Sequence, residues 1–454
     1  MQINGRHIIV MGLGRSGLAA TRFLIRRGAR VTVNDAAAAA TLADAAQTAR
    51  GLGAQIALGG HPAECFADAD LIVVSPGVPH TLAVLEAARQ RGIAVIGEVE
   101  LASRFIAEPI IAVTGTNGKT TTCELLGHML STAGIDAFVG GNIGNPLIAY
   151  ADAVEKAQVV VAEISSFQLD TIAGFHPWVA VLLNVTVDHL DRYPDMAAYT
   201  AAKGRLFENQ TAADTAIFNV ADPRSASLAA GTAARRLAYG PKAVVARSGH
   251  PGAVITPDTI VFRSPEYRDQ RLDLRDLALM GPHNRENVAA AALAALTAGA
   301  ELAAIQNAVQ TFKGPAHRME SVRTLNGIHF INDSKATNMD AVLRALACFD
   351  APVVLIMGGR DKGSDFTAMA QAVRRHVSHL VVLGEAAEAI IAALGEAPQQ
   401  GVHQAADMTD AVTQAYALAG SGETVLLSPA CASFDMFTSY AQRGETFRRL
   451  VEAL

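Results

Sequence analysis

A chain of 454 residues exceeds what one hydrophobic core organises, and length alone predicts about three domains. Half of the residues are hydrophobic, yet no run of about 18 apolar residues is free of charge or helix breakers, so a membrane-spanning helix is not expected. The formal net charge of -6, with no long Lys/Arg block, argues against a protein that coats nucleic acid.

From the N-terminus, Met1–His7 runs straight into a strand-like segment with no basic stretch and apolar leader, so export is not expected. The four cysteines Cys65, Cys123, Cys348 and Cys431 lie far apart without a CxxC pair, which fits reduced thiols and a cytoplasmic location. Short β-branched runs then alternate with alanine-rich helical stretches. Strands are predicted at His7–Met11, Arg30–Asn34, Leu71–Val74, Ile110–Val113, Val159–Ala162, Val179–Leu183, Val353–Met357, Leu380–Leu383 and Thr424–Leu427. Continuous apolar strands separated by helices predict parallel sheets covered on both faces, an α/β fold repeated along the chain. Boundaries are expected near Gly97–Pro109 and at Phe312–Pro315, where Gly314-Pro315 breaks a helix. Between Val245 and Met280 the helical pattern lapses into short alternating segments, read as an antiparallel flap on the middle domain.

Two glycine-rich loops follow strands and open helices. Gly12-Leu13-Gly14-Arg15-Ser16-Gly17 comes first, with Asp35 ending the next strand where a ribose-binding acid is expected. A lone GxGxxG also serves tight turns and close packing, so it does not by itself specify a dinucleotide. The sharper signal is Thr114-Gly115-Thr116-Asn117-Gly118-Lys119-Thr120-Thr121. Backbone N–H groups at a helix N-terminus make a nest for phosphate oxygens. Lys119 would reach the terminal phosphates and the Thr120 hydroxyl would ligate Mg²⁺. The usual phosphate loop has four residues between its first glycine and Gly-Lys, whereas only Thr116 and Asn117 stand here. Glu163 ends a predicted strand at the edge where α/β sheets bind ligands, a position suited to holding Mg²⁺. Asn184–Asp191 adds a polar cluster with His189, and Lys203 on a predicted helix reads by itself as a solvated lysine.

These segments resemble the Mur ligases of peptidoglycan synthesis, in the branch that adds glutamate. The residues that carry the resemblance are Thr114–Thr121, Gly140–Gly144, Glu163–Leu169, Asp188–Tyr193, Gly281–Asn287, His317-Arg318, Asn332–Asn338, Gly358–Gly363 and Leu427–Ser433. They span essentially the whole chain, and Asp333–Asn338 with Ser428–Ser433 are the most specific. Pattern and resemblance together predict a three-domain α/β chain. An N-terminal Rossmann-like nucleotide-binding domain covers 1–97, a central P-loop ATPase-type domain with a parallel sheet covers 98–313, and a C-terminal Rossmann-like α/β domain covers 314–454.

The resemblance implies an ATP-dependent amide-bond ligase that joins D-glutamate to UDP-N-acetylmuramoyl-L-alanine through an acyl phosphate, as a monomer. It implies ATP contacts at Gly115, Thr116, Asn117, Gly118, Lys119, Thr120 and Thr121, with Asn284 and Asn287 at the adenine and ribose, Arg318 at the terminal phosphate, and Asp333 also on the ATP side. Two Mg²⁺ ions are implied, held by Thr120, Glu163, His189 and Lys203, the last carbamylated into a carboxylate-like ligand. Lys119, His189, Lys203 and Arg318 form the implied catalytic set. Gly14, Arg15, Ser16, Asp35, Gly77, Asn142 and Ser165 are implied to face the UDP-linked substrate. Lys335, Thr337, Lys362, Ser433, Phe434 and Tyr440 are implied around the incoming glutamate. One departure stands out: Ala36 and Ala37 follow Asp35 where the family often supplies hydroxyl or basic contacts to uridine.

Other readings fit parts of the pattern. A nicotinamide-dependent dehydrogenase would use the N-terminal glycines but leaves the phosphate loop unexplained. A nucleotide switch would use ATP without forming a bond. Ligases for L-glutamate, other amino acids or folate share the central loop.

Overall fold

The computed structural model describes residues 1–454 except 191, 264–266, 268, 278, 280 and 362. Each of the nine runs predicted as strands is a strand, and the strands assemble into three sheets. The first is five-stranded and parallel, in the order Gln55–Leu58, Arg30–Asp35, His7–Met11, Leu71–Val74, Ala94–Gly97. The second has nine strands and centres on Ile110–Thr114, flanked by Val159–Glu163 on one side and Val179–Leu182 on the other. The third has six strands, with Thr424–Ala430 between Ile328–Asn332 and Val353–Gly358.

The central strands are buried along their whole length, as the Val159–Glu163 and Val353–Gly358 runs show. Each buried Val, Ile or Leu side chain contributes about 1.5–3 kcal/mol, and period-2 patterning disappears because helices cover both faces. In each sheet the chain reverses its direction of strand addition near the centre. Such switch points open a crevice beyond the carboxyl ends of the strands. The crevice of the first sheet lies between the strands His7–Met11 and Leu71–Val74, and that of the second lies at Ile110–Thr114.

The segment expected as a flap is built differently. It opens with a helix, Lys242–Ser248, and Gly252–Ile255 then pairs parallel to Arg235–Pro241. Among the described residues of this segment, Thr259–Phe262 and Arg271–Asp273 are the antiparallel strands, and they extend the nine-stranded sheet edgewise.

The chain forms two compact units. One comprises Met1–Val185, Arg192–Asp273 and Glu286–Val309 and carries the first two sheets. These share one continuous core, in which Phe23, Val99, Leu101, Ile148 and Phe175 are all buried. The other comprises Thr186–Asp191, Leu274–Arg285 and Gln310–Leu454 and carries the third sheet. Among the described residues no helix is long and apolar enough to cross a membrane.

Candidate active site

The phosphate loop leaves the strand Ile110–Thr114 and turns into the helix Lys119–Thr132. Gly118 caps that helix at φ 89°, in the left-handed region, and a Cβ there would stand 2.4 Å from Asn287 Oδ1. Glycine is therefore required on both backbone and steric grounds. The loop is braced from below: Thr116 N donates to Asn184 O at 2.9 Å, and Asn117 N donates to Asn184 Oδ1 at 2.9 Å. Lys119 Nζ folds back over the loop, donating to Gly115 O and Thr116 O at 2.8 Å each.

Glu163 ends its strand directly beside this loop, paired with Val113, and is buried. Thr120 Oγ1 donates to one of its oxygens and Asn142 Nδ2 to the other, each at 2.8 Å. The 2.8 Å separation of the Thr120 and Glu163 oxygens matches two adjacent ligands on an octahedral Mg²⁺ with bonds of about 2.1 Å. The donor set is hard oxygen throughout, so these two residues fit the ion. Lys203 sits on the helix Met196–Gly204, whose first turn is capped by Asp195 accepting from Ala198 N at 2.8 Å. It is no solvated lysine: it is 1% exposed, its Nζ lies over the Tyr199 ring and donates to Gly115 O at 2.9 Å. Lys119, Thr120, Asn142, Glu163, Lys203 and Asn287 are thus gathered around one loop.

The first sheet's crevice is a cavity of about 670 Å³, lined by Gly12–Ser16, Asp35, Ala36, His61, Ser75–Pro79, Leu82, Gly141, Asn142 and Gln168. Gly14, Arg15, Ser16, Asp35, Gly77 and Asn142 meet there; Ser165 is not in that lining. Ser165 caps the short helix that follows it, accepting from Gln168 N at 3.3 Å while Gln168 Oε1 accepts from Ser165 N at 2.8 Å. Within the glycine motif, a Cβ at Gly17 would stand 1.8 Å from Gly12 O, so this glycine serves backbone packing, while Gly14 caps the helix Arg15–Arg26 with open space beside it. The Asp35 carboxylate accepts from Leu13 N at 2.8 Å and from Ala37 N at 2.9 Å, so it holds the loop in shape. His61 and Gln168 also line the cavity; His61 stands in no motif that sequence reasoning singled out, and Gln168, although within Glu163–Leu169, was given no role there.

The remaining site residues belong to the second unit. His189 is held at φ 56° with its N–H donating to Asp188 Oδ1 at 2.9 Å, and Asp188 Oδ2 accepts from Asn338 Nδ2 at 3.2 Å. Arg318 lies between two residues of positive φ, His317 and Met319, and its buried Nε has no hydrogen-bond partner among the described residues. Burial pushes the Asp333 carboxyl up to about 6, opposed by the Arg318 guanidinium and by the Ser428 hydroxyl, which donates to it at 2.9 Å. His283, one residue before Asn284, is pushed down to about 4 by burial and then by Arg344 and Arg318. Lys335 Nζ lies 5.5 Å from the Tyr440 ring centroid, and Thr337 N donates to Lys335 O at 2.9 Å. Ser433 is buried, whereas Phe434 is 62% exposed. Lys362 lies outside the described residues.

Arg443 was not foreseen. Only 2% exposed, it donates through Nε to Ser334 Oγ at 3.0 Å and through Nη2 to Ser334 O at 2.8 Å and Cys431 O at 3.1 Å. Its Nη1 reaches Gly358 O at 3.4 Å, so one side chain ties together the loops that follow three adjacent strands. Nothing in the local pattern around Arg443 distinguishes it from the other arginines of its helix.

Comparison with known proteins assigns these features to one lineage. Residues 6–97 match the Mur ligase MurD-like N-terminal domain, 113–295 the Mur ligase middle domain, and 317–431 the Mur ligase glutamate ligase domain. The UDP-N-acetylmuramoylalanine–D-glutamate ligase of Desulfatibacillum aliphaticivorans is 51% identical over the full length of both chains. The chain belongs to the Mur ligase family. A second ligase of the same name, from Desulfosudis oleivorans, is 47% identical over 100% of this chain and 98% of its own. The fold also matches that of the UDP-N-acetylmuramate-alanine ligase of Thermotoga maritima, with a TM-score of 0.62 over 99% of each chain at 19% identity.

Proposed function

We propose that the chain is the ATP-dependent ligase that joins D-glutamate to UDP-N-acetylmuramoyl-L-alanine in the cytoplasm, through an acyl phosphate. The observation that carries this reading is the full-length likeness to ligases of that name, combined with a braced phosphate loop whose Thr120 and Glu163 oxygens stand 2.8 Å apart. In this reading residues 1–97 hold the UDP-linked substrate, 98–313 hold ATP, and 314–454 hold glutamate.

A carboxylate does not condense with an amine because oxide is a poor leaving group. ATP with Mg²⁺ would supply a phosphoryl group that converts the carboxylate into an acyl phosphate with release of ADP, and the glutamate amine, losing a proton, would then displace phosphate to form the amide. The chain's task is charge neutralisation and positioning. Lys119 and the helix N-terminus behind it oppose the phosphate charge, and Thr120 and Glu163 orient the ion. Arg318, whose Nε has no partner among the described residues, would serve the terminal phosphate, and Asn284, Asn287 and Asp333 would serve the nucleoside. His189 and Lys203 would be the residues to hold a second ion; as a carbamate, Lys203 would replace a buried cation with an oxygen ligand. Gly14, Arg15 and Ser16 would take the diphosphate of the substrate, and Asn142 and Ser165 would face its sugar-peptide part. Lys335, Thr337, Lys362, Ser433 and Tyr440 surround the incoming diacid, with a lysine–carboxylate pair selecting it.

The test is phosphate release from ATP and Mg²⁺ with UDP-N-acetylmuramoyl-L-alanine, comparing D-glutamate, L-glutamate and no amino acid. Release that requires both the precursor and D-glutamate is expected. Equal release without an amino acid would turn the protein into a nucleotide switch, and dependence on L-glutamate alone would change the pathway. A single peak at the monomer mass in sedimentation is expected alongside.

A further inference from the structure

Asn338 caps the helix Met339–Leu346, and the chemistry of the cap fixes which way its amide faces. One end of the side chain takes the backbone N–H of Ala341 at 2.9 Å. A backbone N–H only donates, so that end is Oδ1 and the other is the NH₂. The NH₂ donates to Asp188 Oδ2 at 3.2 Å. Asp188 is thereby held from two sides, because its Oδ1 accepts from His189 N at 2.9 Å. Among the described residues, Asn338 is the one side chain outside the loop Thr186–Asp191 that hydrogen-bonds to Asp188. A second tie runs alongside it. Thr186 Oγ1 donates to Asp340 Oδ2 at 3.2 Å, the same oxygen that accepts from Arg344 Nε at 2.9 Å. All of these residues belong to the second unit, so the first turn of one of its helices grips the loop that presents His189.

His189 needs such a grip. Its φ of 56° is left-handed, a strained setting for a residue with a Cβ, and it persists only where the surroundings determine it. The Asp188 carboxylate supplies the bond to its backbone N–H, and the other carboxylate oxygen lies 3.7 Å from His189 Nε2. One carboxylate thus governs both the backbone of His189 and the setting of its ring. We infer that Asn338 is a positioning residue for His189: by fixing the Asp188 carboxylate, it sets the place from which the imidazole meets its ion. This rests on His189 being an ion ligand, as proposed above. Two substitutions separate positioning from capping. Asn338→Ser and Asn338→Asp both keep an oxygen that caps the helix. Serine is too short to reach Asp188, and aspartate sets a second carboxylate against it. A residue that only caps would tolerate both.

The test uses Mn²⁺, a paramagnetic stand-in for Mg²⁺ that also takes imidazole ligands, on the full-length protein with ADP. Electron spin-echo spectroscopy reads nitrogen bound to the ion, and titration followed by the signal of free Mn²⁺ reads affinity. Wild type is expected to show modulation from a directly bound imidazole nitrogen, and His189→Gln to lack it. In Asn338→Asp the modulation should fade and Mn²⁺ affinity should drop about tenfold or more, with a smaller drop in Asn338→Ser. Both variants should unfold at the wild-type temperature, since the cap is kept. In an Asp188→Ala background the Asn338 substitutions should cost nothing further, because they act through that carboxylate. Wild-type modulation and affinity in Asn338→Asp overturn the assignment, and so does a full additional loss in the Asp188→Ala background. A fall in unfolding temperature that tracks the loss of signal would make Asn338 a cap alone and overturn it too. Absence of the nitrogen signal from wild type, or its persistence in His189→Gln, removes His189 from the metal site, and the assignment then falls with the reading beneath it.

Discussion

At the scale of single residues, Lys203 is the side chain whose environment departs furthest from its sequence context. On an alanine-rich helix it reads as a surface lysine, yet it is 1% exposed and meets a tyrosine ring and the Gly115 carbonyl. Burial disfavours an ammonium, and reaction with CO₂ would exchange that cation for an oxygen ligand beside the phosphate loop. Lys203→Arg keeps charge and length but cannot carry a carbamate. It is expected to lower kcat about hundredfold or more while leaving binding of UDP unchanged. Enzyme equilibrated with ¹³C-bicarbonate should give a carbamate carbon resonance that is absent from the variant. A variant with wild-type kcat would remove Lys203 from the metal site.

At the scale of elements, the phosphate loop and the loops of the third sheet are each held by one decisive contact. Gly118→Ala places a methyl group where Asn287 Oδ1 stands and forces a left-handed φ on alanine, a combined cost of about 1–3 kcal/mol. KM for ATP should rise at least tenfold with KM for D-glutamate little changed, as steady-state kinetics would show. In the third sheet, Arg443 bridges the loops at Ser334, Gly358 and Cys431. Burial pulls its guanidinium down to about 10, opposed by Cys431 and Asp435, so it stays charged at neutral pH. Arg443→Met fills the space yet removes these hydrogen bonds, so a loss of about 2–4 kcal/mol is expected by denaturant unfolding. The affected loops carry Lys335, Thr337 and Ser433, so KM for D-glutamate should rise severalfold while UDP binding stays the same.

At the scale of the whole molecule, the junction between the first two sheets stores a pH dependence. Glu98 opens the helix Glu98–Ser103 directly after the strand Ala94–Gly97. It is 2% exposed; one oxygen accepts from Ile148 N at 2.7 Å and the other has no partner among the described residues. Burial pushes its carboxyl from 4.5 up to about 7, with the Ile148 N–H pulling the other way. A raised acid pKa means that the folded state holds the proton more tightly than the unfolded chain does. The associated stability is complete below 4.5, is lost progressively as the pH rises to about 7, and is absent above that. Glu98→Gln should therefore be more stable than wild type at about pH 8, by roughly 3 kcal/mol at most, and nearly equal to it at about pH 4. Thermal unfolding at the two pH values checks this. Glu100, two residues on, is held below the usual carboxylate range, against its own burial, by the N–H groups of Ala173 and Gly174 and by Arg104. The two neighbouring carboxyls thus respond oppositely to pH.

The architecture was legible because each central strand is an unbroken apolar run, and burial on both faces leaves no other way to satisfy such a run. The strands that escaped, such as Ala137–Gly141 and Arg235–Pro241, carry glycine or arginine and become strands only because neighbouring strands pair with them, the first at a sheet edge and the second inside the sheet. The phosphate loop was legible for a similar reason: a strand, a glycine-permitted turn and a helix N-terminus lie within one short stretch, so its geometry is local. Local sequence therefore determined the sheets, the loop chemistry and the family. Tertiary structure alone decided that Lys203 is buried and that Arg443 joins three loops. Those contacts join residues 12 to 109 positions apart, and no local pattern encodes which distant carbonyl will meet a given side chain.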